Sequence, residues 1–378
     1  MPVTYLDAAA TTRVDPRVAD VVLRWMTEDF GNAGSRTHEY GTRAKRAVQQ
    51  AREQLATQLG AAADELIFTS GATESNNIAL LGLAPHGERS GRRHIITSAI
   101  EHKAVIEPLE YLQGRGFEVD FLKPDLQGRI SVEAVQDCLR PDTLAVSLMH
   151  VNNETGVVQP VAELARALRD TPTYLHVDAA QGFAKLPDDL TAPIDMVSIS
   201  GHKIGAPKGV GALLIRRRGW EKVPLQPLMY GGGQERKLRP GTLPVPLIMG
   251  LAKAEEIFRK EHAVWLSQAQ DIRERLLEAL SDVPYHLNGD PEHTVPHILN
   301  LSFAGVNAEA LIVSLKEVAA VATGSACTSA SYTPSHVLTA MGLPESVASN
   351  GLRLSWFPSQ VNDFDAKQLA VAVQALQP

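Results

Sequence analysis

The chain has 378 residues, 44% hydrophobic and 21% charged, the profile of an ordinary enzyme-sized protein with room for two domains. Its formal charge of −7 offers no basic footprint for nucleic acid. No run approaches the ~18 apolar residues of a membrane span, and the start Met1-Pro2-Val3-Thr4 lacks the regions of a signal peptide. The expectation is a cytoplasmic protein with no direct nucleic-acid contact and no membrane contact. Two cysteines, Cys138 and Cys327, are too few for a disulfide framework or a zinc site.

In chain order, residues 42–59 place Ala44, Ala47, Val48, Ala51, Leu55 and Leu59 on one stripe, which predicts an amphipathic helix. From about 65 to 215, short β-rich apolar runs recur at 66–68, 94–96, 119–122, 144–149, 174–177 and 195–199, with another at 210–215. They alternate with helical stretches such as 161–168, the pattern of an α/β domain with a largely parallel sheet. Around 222–246 the texture turns to Pro and Gly, including Gly231-Gly232-Gly233, and reads as loop and a seam between domains. A long helical pattern over 247–280 follows. A smaller mixed region then has strand-like runs at 298–303, 318–322 and 352–356 and a last helix at 366–376.

In α/β sheets ligands gather beyond the carboxyl ends of the strands, and the polar clusters fall there. Lys203, in Ser200-Gly201-His202-Lys203-Ile204-Gly205, follows a strand, where an ε-amine of lowered pKa can form a Schiff base with a carbonyl cofactor. Thr69-Ser70-Gly71-Ala72-Thr73-Glu74 is a small-residue turn opening a helix, a phosphate cradle or an ordinary cap. Neither GxxxxGK[ST] nor GxGxxG occurs, which argues against ATP or a dinucleotide. Asp178 and Gln181 follow the 174–177 strand; the carboxylate there can keep a ring nitrogen protonated and the amide can reach a phenolic oxygen. His102 follows the 94–96 strand and can stack on a planar ring. Asn153 lies in an Asn pair after 144–149.

Cys327 sits among small polar residues in Gly324-Ser325-Ala326-Cys327-Thr328-Ser329-Ala330-Ser331, a loop from which a thiolate can reach a substrate. Cys138, inside the helical pattern 131–139, reads as inert. His293 and His297 have helix-like metal spacing, but Pro296 breaks the helix and no third ligand is evident.

The strings TSGATESNN (69–77), EHKAV (101–105), HVNNETGVV (150–158), HVDAAQ (176–181), SGHKIGAPKGVG (200–211), RPGTLP (239–244) and GSACTSAS (324–331) closely resemble the cysteine desulfurases of the class V aminotransferase family. They occur in that family's order, and the resemblance runs from Tyr5 to about Trp356. The Cys loop is similar to the longer version of the housekeeping and nitrogen-fixation group.

The resemblance implies a pyridoxal 5'-phosphate enzyme of α/β fold type I. A large domain, 14–254, would hold a mixed, mostly parallel sheet, and a smaller α/β domain, 1–13 with 255–378, would carry the Cys loop. It implies a homodimer that converts L-cysteine to L-alanine and passes sulfur, as a Cys327 persulfide, to an acceptor protein in iron–sulfur assembly, tRNA thiolation or DNA phosphorothioation. By resemblance, Lys203 holds the cofactor covalently and then serves as base, Asp178 pairs with the pyridine nitrogen, and Gln181 meets the phenolic oxygen. His102 stacks on the ring with a catalytic part. Ala72, Thr73, Ser200 and His202 belong to the cofactor cradle, with Thr242 reaching the phosphate from the other subunit. Asn153 lies beside cofactor and substrate, and Arg353 grips the substrate carboxylate, a task suited to a bidentate guanidinium. Two departures stand out: Pro240 occupies a place where a small residue is usual, and the chain ends without the longer tail of housekeeping members. That brevity is similar to the desulfurases of DNA phosphorothioation. A selenocysteine lyase or a plain aminotransferase of the same fold is the alternative, and Cys327 separates the two, since transamination needs no thiol there.

Overall fold

This computed structural model describes residues 3–324, 334–361 and 365–377. A seven-stranded sheet forms the centre, in the spatial order Leu66–Thr69, Gly211–Ile215, Met196–Ser200, Tyr174–Asp178, Thr143–Met149, His94–Ser98, Glu118–Leu122. Gly211–Ile215 runs antiparallel to both of its neighbours, and the remaining pairings are parallel. The sheet is therefore mixed and mostly parallel. Four of its strands are buried at every position, as expected when helices cover both faces. The edge strand Glu118–Leu122 is instead partly exposed and carries Glu118 and Asp120, charges that discourage pairing with another chain.

Two apolar clusters sandwich the sheet. The larger joins one face to the helices Glu39–Gln58 and Val245–Ala279, and the smaller packs Ala72–Ser90 and Lys103–Gln113 on the other. The stripe on Glu39–Gln58 is buried as its spacing predicts, with Leu59 closing the helix just beyond. The helix Val245–Ala279 has 35 residues, about 50 Å at 1.5 Å per residue. It runs from the central sheet to a second, four-stranded sheet ordered Ala322–Thr323, Gly351–Ser355, Ile298–Phe303, Tyr285–Leu287.

Two expectations need correction. The run 318–322 is not one strand. Ala319–Ala320 pairs parallel with Thr4–Tyr5, while Ala322–Thr323 pairs antiparallel with Gly351–Ser355. The backbone changes partners at Val321, satisfying two different ladders with successive donors and acceptors. The Pro/Gly stretch 222–246 is more than a seam, because Glu235 within it is buried against Arg52 and the 66–69 strand.

The first residues tie the two sheets together. Ala8 and Ala9 donate to Ser355 O at 3.0 Å and Ser355 Oγ at 2.9 Å, while Thr12 donates from its backbone to His202 O at 2.9 Å. Residues 7–12 thus pass over the carboxyl ends of the central strands.

Candidate active site

A cavity of about 680 Å³ opens at those strand ends. Lys203 enters it from the single 3-10 turn Gly201–Lys203, which follows Met196–Ser200 directly. Its Nζ donates to Ala9 O at 2.6 Å and Ala10 O at 2.7 Å, so the amine points at the strap made by the N-terminal segment. Gln181 Nε2 donates to the same Ala9 carbonyl at 2.8 Å, leaving the buried Gln181 Oε1 without a partner among the described residues.

Asp178, the last residue of its strand, is 6% exposed and lines the cavity. Asn76 Nδ2 donates to its Oδ2 and Ala180 N–H to its Oδ1, which fixes the carboxylate plane. His102 caps the helix Lys103–Gln113, with Nδ1 accepting from Ala104 N–H at 3.1 Å. Burial lowers the pKa of its ring, partly offset by Asp178. Accepting at Nδ1 places the proton of the neutral ring on Nε2.

At one end of the cavity the helix Ala72–Ser90 begins after Gly71, with no side chain among the described residues capping its first N–H groups. Gly71 takes φ +152°, and a Cβ on the neighbouring Gly211 would lie 2.7 Å from Gly71 Cα. The two glycines let this helix start sit over the sheet end. Ala72, Thr73, Ser200, His202 and Lys208 line the same end. His202 hydrogen-bonds Thr11 Oγ1 through Nδ1 at 3.1 Å, and burial together with Lys203, Lys208 and Lys185 pushes its pKa down to about 4.

The opposite wall belongs to the second sheet. Arg353, on Gly351–Ser355, donates from Nη2 to Asp7 Oδ1 at 2.7 Å and from Nη1 to Asn153 O at 3.0 Å, while its buried Nε has no partner among the described residues. Asn153 and Gly324 complete this side. Of the residues singled out from sequence, ten converge here. Thr242 is exposed and does not line the cavity, and Cys327 lies outside the described residues, three positions past Gly324. Cys138 closes the short helix Val132–Asp137 and packs on the core. His293 is engaged with Asp290 on the surface, whereas His297 is buried against Trp265.

The aminotransferase class-V family model matches residues 4–364. The chain belongs to the class-V aminotransferase family. The cysteine desulfurase IscS of Escherichia coli O139:H28 is 47% identical over 355 residues, 93% of this chain and 87% of that protein. Among solved structures, DndA from Streptomyces lividans is 70% identical with a TM-score of 0.83, covering 94% of this chain and all 100% of its own. A structure of SspA in complex with cysteine is 38% identical with a TM-score of 0.83, covering 94% of this chain and 99% of its own.

Class-V enzymes of this kind use pyridoxal 5'-phosphate, and the cavity of this family member fits that group on its own evidence. It pairs an amine with an oriented carboxylate, keeps an uncapped helix N-terminus for an anion, and holds a buried amide oxygen on Gln181 awaiting a partner.

Three supporting residues escaped the sequence reading. Asn76, on the helix Ala72–Ser90, orients Asp178. Glu101, wholly buried beside His102, accepts from Ser98 Oγ at 2.6 Å and Met149 N–H at 2.9 Å, and burial pushes its carboxyl up to about 8. Glu154 follows Asn153 and accepts from Ser335 Oγ at 2.5 Å. All three sit inside the quoted motifs, but nothing in a string of letters says which polar neighbour turns inward.

Proposed function

We propose that this class-V enzyme is a pyridoxal 5'-phosphate-dependent cysteine desulfurase that releases L-alanine and collects sulfur on Cys327. One observation carries the reading: Lys203, Asp178 and Arg353 face a single cavity whose wall includes Gly324, three residues before Cys327 in the chain. The 47% identity to a cysteine desulfurase and the likeness to DndA and to SspA, which is described with cysteine, support it.

Bound at this site, the cofactor supplies an electron sink for the carbanion chemistry of the substrate. Asp178 would hold a proton on the ring nitrogen by its negative charge, Gln181 would meet the phenolic oxygen, and His102 would face the ring. Ala72, Thr73, Ser200 and His202 would hold the phosphate. Lys203 would hold the cofactor through its carbonyl carbon and, as a free amine, would move the proton at the substrate Cα. Asn153 and Arg353 orient the substrate, with the guanidinium on its carboxylate. The Cys327 thiolate attacks the substrate sulfur: the new S–S bond forms as the Cβ–S bond breaks, and the bonding pair stays with the substrate carbon. Cys327 is left as a persulfide.

A homodimer is part of the proposal. Thr242 stands outside its own cavity, close in sequence to Leu228, Met229 and Tyr230, which are 41%, 47% and 86% exposed. An exposed apolar stretch near Thr242 in the sequence suits burial against a second copy, whose phosphate end Thr242 would reach. We assign 14–254 to the large domain and 1–13 with 255–378 to the small one; the separate four-stranded sheet and the pairing of Thr4–Tyr5 with Ala319–Ala320 support that division. The acceptor is a protein, and the likeness to DndA favours the phosphorothioation pathway. None of the described helices is long and apolar enough to cross a membrane; a cytoplasmic location is a separate part of the same proposal.

Mass spectrometry after addition of L-cysteine tests the reading. The expected result is a persulfide on Cys327 with alanine released, and neither persulfide nor sulfide from Cys327→Ser, although L-cysteine still alters that variant's cofactor absorbance. Normal sulfide release by Cys327→Ser would refute the assignment.

A further inference from the structure

Glu154 has no place in the chemistry above, yet it is 2% exposed and carries a carboxylate at the junction of the two sheets. Its backbone is fixed first. Asn152 Oδ1 accepts from Glu154 N–H at 2.9 Å, and Asn300 Nδ2 donates to Glu154 O at 3.1 Å. Its side chain then meets both ends of the stretch that contains Cys327. On the C-terminal side Ser335 Oγ donates to Oε2 at 2.5 Å and also accepts from Leu338 N–H at 3.1 Å, so one hydroxyl links the carboxylate to the helix His336–Ala340. On the N-terminal side Gly324 packs so closely that any Cβ there would collide with Oε2. His336 adds a second tie, donating from Nε2 to Glu101 O at 3.0 Å, with Nδ1 3.9 Å from Glu154 Oε1.

We propose that Glu154 is a positioning residue for sulfur transfer: its carboxylate fixes Gly324 and Ser335, the described residues that flank Cys327 in the chain. The inference rests on Cys327 being the sulfur acceptor. Placement matters because an error of ~1 Å in a reacting group costs on the order of 10²-fold in rate, and a segment of chain inherits its reach from its two anchors. A glycine is needed at 324 because the carboxylate occupies the space of a side chain. Burying a carboxyl group without hydrogen bonds is costly, and the Ser335 hydroxyl supplies one.

The test compares holoenzymes carrying Glu154→Ala, Glu154→Gln, Ser335→Ala and Cys327→Ser in single-turnover persulfide formation, alongside cofactor absorbance and its change on addition of L-cysteine. Glu154→Ala and Ser335→Ala are expected to keep both absorbance signatures but form the persulfide 10- to 100-fold more slowly, at roughly the scale a 1 Å displacement gives. Glu154→Gln, which still accepts from Ser335, should recover most of the rate. Parental rates in both alanine variants, or losses that merely track loss of cofactor, would overturn the inference. If Cys327→Ser itself turns over normally, the desulfurase reading fails instead, so the two failures are told apart.

Discussion

Asn76 donates from Nδ2 to Asp178 Oδ2 at 2.7 Å, although the two lie on a helix and a strand far apart in sequence. With Ala180 N–H on the other oxygen at 2.9 Å, Asp178 is held in one orientation and its charge is directed at the cavity. A negative group set in advance against a developing positive ring needs no reorganisation during reaction. Asp178→Asn should therefore still take up pyridoxal 5'-phosphate but lose on the order of 10²- to 10³-fold in kcat. Steady-state alanine release measures it, and a kcat within threefold of the parent would contradict the role given to Asp178.

Lys203 donates to Ala9 and Ala10 carbonyls, so the amine is already placed against the strap before any ligand arrives. Lys203→Ala should abolish the visible absorbance of the covalently held cofactor and the release of alanine together. Absorption spectra after reconstitution check this, and an unchanged spectrum would remove Lys203 from the site.

Two buried rings and one half-buried ring should make the fold acid-labile. His176 bridges Ser147 Oγ and Ser198 Oγ between neighbouring strands, and burial lowers its pKa to about 4. His202 is likewise lowered to about 4 and His297 well below its usual value, burial coming first in each. The unfolded chain protonates these rings near pH 6.5, while folded His176 does so only near 4. Between those values the unfolded state holds more protons, so the contribution is fully present above about pH 6.5 and drains away as pH falls toward 4. Thermal unfolding of the apo-protein should show Tm falling over that window, and His176→Gln should flatten the fall. Equal slopes for parent and variant would contradict the titration.

Arg52 and Glu235 form a buried bidentate pair with N···O distances of 2.6 and 2.7 Å, and Glu235 also accepts from Phe68 N–H. The pair holds a backbone with φ of +42°, +56° and +69° at Glu235, Arg236 and Lys237, a strained run for non-glycine residues. Arg52→Met leaves a buried carboxylate unpaired and should cost about 3–5 kcal/mol. Arg52→Met with Glu235→Leu should recover a good part of it. Urea unfolding measures both, and a single-variant cost under about 1 kcal/mol would show the pair to be dispensable.

The chain's own pattern was most legible where periodicity was strong. The helical stripe 42–59, the helix 161–168 and the buried strand 298–303 appear at or near their expected bounds, as Glu39–Gln58, Val161–Leu168 and Ile298–Phe303. Short elements were not legible. Ala319–Ala320 and Ala322–Thr323 are too brief to carry a period, and their split depends on which distant strand each meets.

For the site, the letters alone supplied Lys203, Asp178 and the small-residue turn at Gly71, because an amine, a carboxylate and a glycine after strands are chemically distinctive wherever the sheet is parallel. They gave no sign that Asn76, Glu101 and Glu154 turn inward, or that Arg353 spends two of its donors on Asp7 and Asn153. Those facts depend on contacts between residues as much as 346 positions apart, and such contacts exist only once two sheets and the N-terminal strap are packed together. Lys203 shows the division most plainly. Sequence determined that an amine stands after a strand among small residues, while tertiary packing decided that it faces the carbonyls of Ala9 and Ala10 in a cavity shared with Asp178. The reason is physical: residue type determines what a group can do, and only folding brings its partners within hydrogen-bonding distance.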